Sequence, residues 1–92
     1  QVEGCVVTGI SVATSEEITF KDGRVEQTNY DDYKIARMRN APEIHVRVID
    51  SEHGPFGADA GLPPTPPAIT NAIFAATGKR IRRLPIGRQK LV

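Results

Sequence analysis

"GLPPTPPAITNAIFAATGKRIRRLP", residues 61–85, contains the most decisive helix pattern of the chain. Thr65 is a residue type that N-caps helices, and Pro66 at the first helical position gives up no intrahelical hydrogen bond. Ile69, Ala72, Ile73 and Ala76 then recur at helical spacing. Gly78 suits the left-handed position just past a helix end, and Lys79 and Arg80 suit the negative end of the helix dipole. These signals predict a helix over 65–77, followed by "RIRRLPI" running extended to Pro85 within a basic tail over 78–92.

Moving towards the N-terminus, residues 51–64 form a loop rich in glycine and proline that carries one carboxylate, Asp59. Residues 43–50 alternate, with Ile44, Val46 and Val48 on one face and His45, Arg47 and Ile49 on the other, which predicts a strand. Residues 30–42 are irregular, and Pro42 pushes Ala41 out of the helical region. Residues 17–29 predict a β-hairpin. Asp22-Gly23 is the pair favoured by a two-residue type I′ turn, because both positions need positive φ. In residues 1–15, Val2, Val6, Gly9, Ile10 and Ala13 recur at helical spacing. Gly4 and Gly9 each cost helix propensity, about 1 kcal/mol against Ala, so this helix calls for close packing against a neighbour. The expected fold is α+β in the order α-β-β-β-α, with two helices packed on a small sheet that contains the hairpin.

The totals bound the possibilities. Ninety-two residues make one domain at most, with a modest core. A hydrophobic fraction of 39% and a charged fraction of 25% are globular rather than disordered. The single cysteine excludes an internal disulfide and a multi-cysteine metal site. No run approaches the ~18 apolar residues of a membrane helix, so no membrane span is expected. The chain opens at Gln1, without Met, inside a segment that reads as structured. We therefore expect a piece of a longer polypeptide. All eleven acids lie at or before Asp59, while 6 of the 12 basic residues fall after Gly78.

Several residues can carry chemistry. An aspartate in a Gly/Pro loop makes local turn hydrogen bonds, and a loop carboxylate on a rigid scaffold can also serve as a general base. Residue chemistry alone favours the turn role for Asp59. His45 reads as a surface or interface histidine. His53 beside Glu52 reads as a loop pair, and neither forms a metal-ligand set. Cys5 lies among apolar residues and reads as a buried, inert thiol rather than a nucleophile. The basic end reads as a solvated tail or one packed on an acidic partner surface. It lacks the interleaved aromatics of a single-strand nucleic-acid binder, and no nucleic-acid partner is expected.

"QVEGCVV" (1–7), "DGRVEQTNYDDY" (22–33), "APEIHV" (41–46) and above all "PPTPPAITNAIFAATGKRIRRLP" (63–85) together resemble the C-terminal end of the molybdopterin-binding large subunit of molybdenum hydroxylases. This is the xanthine dehydrogenase / aldehyde oxidoreductase superfamily, and the branch is the isoquinoline 1-oxidoreductase β-subunit type. The resemblance implies a segment of a larger molybdopterin-binding domain, in a polypeptide several times longer. It implies an oxidoreductase that hydroxylates an aldehyde or N-heterocycle at a molybdenum centre, with electrons leaving through an iron–sulfur small subunit. In that family a Gly-Val-Gly-Glu loop precedes the Pro-rich helix entry, and its Glu is the general base. Phe56-Gly57-Ala58-Asp59 falls on that loop, which gives Asp59 the catalytic position and puts Ala58 where the family has its second Gly. Gln1, Glu3 and Gly4 match a family motif whose Gln contacts the cofactor. A Gln amide both donates and accepts, as a pterin edge requires, and the glycine permits close approach. Gln1 and Gly4 are thus the implied cofactor-binding residues, with no metal ligand from this chain.

The remainder of the large subunit is the implied partner. The isolated chain is expected neither to turn over substrate nor to hold the cofactor. The alternative is a stand-alone, non-catalytic interaction or regulatory domain derived from the same fold. Location, in bacterial cytoplasm or periplasm, depends on an N-terminus beyond this sequence.

Overall fold

The computed structural model describes residues 1–87 and 89–91, and at Ala58 the backbone alone. Two 13-residue helices dominate: α1 over Val2–Thr14 and α2 over Thr65–Thr77. A two-stranded antiparallel sheet lies between them in sequence, with β1 at Phe20–Lys21 and β2 at Arg24–Val25. Short 3-10 turns occur at Met38–Asn40 and Ala58–Gly61.

The helices pack on each other, and α1 also packs on the Ala58–Gly61 turn. Gly9 sets their closest approach: a Cβ there would lie 2.5 Å from Thr65 Cβ. The close neighbour that the α1 glycines call for is therefore the first turn of α2. Gly4 differs, because a Cβ at that position meets nothing within 4 Å.

The start of α2 departs in detail from the expected cap. Pro64 is the N-cap, Thr65 is already helical, and its Oγ1 donates back to the Gly61 carbonyl at 2.8 Å. The end matches. Gly78 takes φ 74°, and its N–H donates to the Phe74 carbonyl at 2.7 Å.

The hairpin turn forms on Asp22 and Gly23, both at positive φ (51° and 74°), with Phe20 paired to Val25 and Lys21 to Arg24. Pairing extends a little further. The Glu26 N–H donates to the Thr19 carbonyl at 2.9 Å, and the Thr19 N–H donates to Gln27 Oε1 at 2.8 Å. Phe20 is 71% exposed and Val25 42%. The hairpin is thus not the platform on which the helices rest, and the expected packing of both helices on a sheet is corrected to helix on helix.

The α+β class holds, but residues 43–50 join no ladder among the described residues. An alternating pattern becomes a strand only when a neighbour takes its backbone N–H and C=O groups. No described part of this chain supplies one, and Val48 and Ile49 stay 79% and 83% exposed.

The basic end is a correction as well. Ile81 and Ile86 are buried with Ala13, and Ile69, Ile73 and Leu91 pack around them. The Ile86 N–H donates to the Ala13 carbonyl at 2.7 Å and the Gly87 N–H to the Thr14 carbonyl at 3.2 Å. These bonds satisfy carbonyls that the end of α1 would otherwise leave open. The segment is therefore a docked strap and not a solvated tail, with Arg82 and Arg83 facing outwards. Arg88 lies outside the described residues.

Candidate functional site

The residues singled out in the sequence come from two ends of the chain, and the fold brings them together at the start of α1. Gln1 is the N-cap residue of α1. Its Nε2 donates to Cys5 Sγ at 4.0 Å, across one helical turn. The Cys5 thiol in turn donates to the backbone carbonyl of Asp59 at 3.7 Å. Gly61 completes the contact, since a Cβ there would stand 3.3 Å from Cys5 Cβ. Gln1 and the Asp59 turn, 58 positions apart in sequence, thus meet on one buried thiol.

The turn itself is built by local rules. Gly57 takes the left-handed conformation at φ 64°, which a glycine adopts without a Cβ penalty. The 3-10 turn then closes through Ala60 N–H to the Gly57 carbonyl at 3.0 Å and Leu62 N–H to the Asp59 carbonyl at 3.2 Å. The Asp59 backbone is consequently fixed from two sides while the residue itself is exposed. Gln1, Glu3 and Gly4 are exposed on the same first turn of α1. A flat polar group approaching there meets an amide that can donate and accept, and a glycine with open space at its Cβ position. This chemistry fits a pterin edge.

Cys5 is buried as the sequence implies, at 8% exposure, but its linking role is not evident from residue chemistry. A partial signal exists, because positions 1 and 5 stand one helical turn apart. The contact to residue 59 has no local signal. His45 Nε2 pairs with Glu43 Oε1 at 3.1 Å on the surface, and His53 is exposed. Among the described residues no group of three or more His, Cys, Asp or Glu side chains is placed to hold a metal ion. No helix among them is long and apolar enough to cross a membrane.

A second polar cluster ties the middle of the chain to α1. Buried Ser11 accepts the Ala36 N–H at 2.8 Å, and the Tyr33 hydroxyl donates to Glu16 Oε2 at 2.7 Å. That hydrogen bond, with desolvation and the Glu16 charge behind it, raises the Tyr33 phenol above its ordinary pKa of 10.0.

A helix N-terminus and a glycine-opened turn are thus joined at a buried thiol. Residues 1–42 match the family described as Molybdopterin cofactor-binding domain. The chain is 38% identical over 87 residues to the beta chain of isoquinoline 1-oxidoreductase from Brevundimonas diminuta, a match covering 94% of this chain and 11% of that protein. It is 33% identical over 94 positions to a nicotinate dehydrogenase component of Pseudomonas putida, covering 99% of this chain and 8% of that protein. It is 31% identical over 98 positions to a probable xanthine dehydrogenase component of Bacillus subtilis, covering 100% of this chain and 13% of that one. The chain belongs to the family of molybdopterin-binding molybdenum hydroxylase subunits. It spans about a tenth of the length of these curated relatives.

Proposed function

We propose that this chain is the C-terminal segment of a molybdenum hydroxylase large subunit and supplies two parts of its active site. Asp59 is the general base, and Gln1 with Gly4 forms one edge of the molybdopterin pocket. The observation that carries this reading is the meeting of the Gln1 turn and the Asp59 turn on Cys5. When bound, the cofactor supplies two-electron redox chemistry and an oxygen atom for transfer to carbon. The chain's own residues do the rest. The Gln1 amide holds a donor–acceptor edge of the pterin, and Gly4 lets that edge approach the helix backbone. The Asp59 carboxylate takes the proton released as the oxygen nucleophile attacks an electron-poor carbon. The names of the relatives point to an N-heterocycle or an aldehyde as substrate class, with an iron–sulfur partner receiving the electrons.

The remainder of the large subunit closes the pocket, so the 92 residues alone neither turn over substrate nor retain the cofactor. The test is turnover of an N-heterocycle or aldehyde with a dye acceptor, using intact enzyme carrying Asp59→Ala. A loss of kcat on the order of 10²-fold or more, with molybdenum content unchanged, is expected of a removed general base. Wild-type kcat in Asp59→Ala overturns the assignment of the base.

One feature of the resemblance favours a second reading. Ala58-Asp59 stands where the family has Gly-Glu, as befits a non-catalytic interaction domain that has lost the family chemistry. That reading predicts no turnover from any assembly containing this chain, and the same assay separates the two.

A further inference from the structure

We infer that Cys5 is a positioning residue for Asp59, and this inference rests on the assignment of Asp59 as the base. The thiol sits where the first turn of α1 and the Asp59 turn touch. It accepts from Gln1 Nε2 at 4.0 Å and donates to the Asp59 carbonyl at 3.7 Å. Each contact is long and weak, as sulfur hydrogen bonds are. Their placement matters more than their strength. The Asp59 carbonyl also accepts the Leu62 N–H that closes the 3-10 turn. Cys5 therefore sets where the turn stands against α1, and Gly61 lets it stand that close.

An aspartate has a single methylene between backbone and carboxyl. Its carboxylate cannot compensate for a displaced backbone by changing rotamer as freely as a glutamate can. A misplacement of about 1 Å costs on the order of 10²-fold in rate, so the position of this turn controls the base. Cys5 touches neither substrate nor cofactor in this role; it acts through the Asp59 turn.

The experiment uses the intact enzyme with Cys5→Ala, Cys5→Ser, Asp59→Ala and the Cys5→Ala/Asp59→Ala double variant. Cys5→Ala is expected to lower kcat on the order of 10-fold, short of the full cost of a misplaced base, with KM and molybdenum content unchanged. Cys5→Ser keeps a donor at the same place and is expected to recover most of the rate. In the Asp59→Ala background, Cys5→Ala is expected to cost nothing further, because its target is gone.

A readout independent of turnover is amide exchange in the cofactor-free large subunit. The Ala60 and Leu62 N–H groups should exchange faster in Cys5→Ala and at the native rate in Cys5→Ser. A loss in Asp59→Ala with neither a rate loss nor faster exchange in Cys5→Ala overturns this inference alone. So does an additive loss in the double variant. Wild-type kcat in Asp59→Ala overturns the base assignment and this inference together.

Discussion

At the scale of single residues, the proposed base is Asp59, where the resemblance to the family implies a glutamate. Its carboxylate stands one methylene, about 1.5 Å, nearer the backbone than a glutamate would hold it. The 3-10 turn and the Cys5 contact fix that backbone, so the turn cannot slide forward to make up the difference. Asp59→Glu in the intact enzyme is therefore expected to raise kcat, by up to about 10²-fold. A fall in kcat would mean that the pocket is shaped for the shorter side chain.

Tyr33 carries the chain's clearest pH dependence. Its hydrogen bond to Glu16, partial desolvation and the Glu16 charge all favour the neutral phenol, so its folded-state pKa lies above 10.0. With the folded value raised, the native state holds the proton more tightly than the unfolded chain does. The stabilisation is complete below the ordinary value and is lost as pH rises through the raised one. Tyr30→Phe leaves Tyr33 as the sole tyrosine. The tyrosinate absorbance of that variant, kept compact in sucrose, is expected to titrate with a midpoint above 10.0. Adding Glu16→Ala should bring the midpoint down.

At the scale of elements, the two glycines of α1 face opposite demands. A Cβ at Gly9 would meet Thr65 Cβ at 2.5 Å, and Thr65 Cβ is fixed to the backbone of α2. The helices must then separate. Overpacking of this kind costs about 1–3 kcal/mol, which outweighs the ~1 kcal/mol gained in helix propensity. Gly9→Ala is expected to lower stability by about 1 kcal/mol on that balance. Gly4→Ala meets open space and is expected to gain about 0.5 kcal/mol of helix stability while weakening cofactor retention in the intact enzyme. Urea unfolding of the intact enzyme carrying either variant, with molybdenum content measured on the same samples, checks the contrast. If both glycines behave alike, the close-approach role of Gly9 fails.

The same elements show what could be read in advance. Asp22-Gly23 and Gly78 mark positive-φ positions that short-range sterics impose, and both form as expected. The span of α2 is legible because proline and glycine bracket one apolar stripe. Residues 43–50 are not legible, because a strand needs a partner and alternation carries no information about where that partner lies. Ile81 and Ile86 are hidden among arginines, since an extended strap has no period of its own. The Cys5–Asp59 contact spans 54 positions and has no local trace. The role of Asp59 rests on family resemblance throughout.

At the scale of the whole molecule, surface and shape point the same way. The chain exposes 7828 Å², where a compact monomer of this size exposes about 5,200 Å². Its radius of gyration is 15.9 Å, where a compact domain of this length has about 12 Å. The excess, about 2,600 Å², is on the scale of a permanent interface. Much of it is apolar: Phe56 is fully exposed, Met38 and Tyr30 are 93% exposed, and Ile49 is 83%. The buried apolar core is small, formed around Ala13, Ile81 and Ile86. So little burial scarcely offsets the conformational entropy of ordering a chain of this length. Under the function proposed above, the remainder of the large subunit would have two tasks: to complete the cofactor pocket, and to cover the faces that residues 43–50 and the hairpin leave open.

The 92 residues produced alone are accordingly expected to bind a hydrophobic dye and to melt broadly, without a cooperative transition. Produced together with the rest of the large subunit on a separate polypeptide, they should copurify with it and lose dye binding. Their amide protection should then rise first in residues 43–50, where a partner strand is missing. A sharp cooperative melt of the isolated chain, with no dye binding, would show that the exposed faces need no cover and would favour the stand-alone reading over the catalytic one.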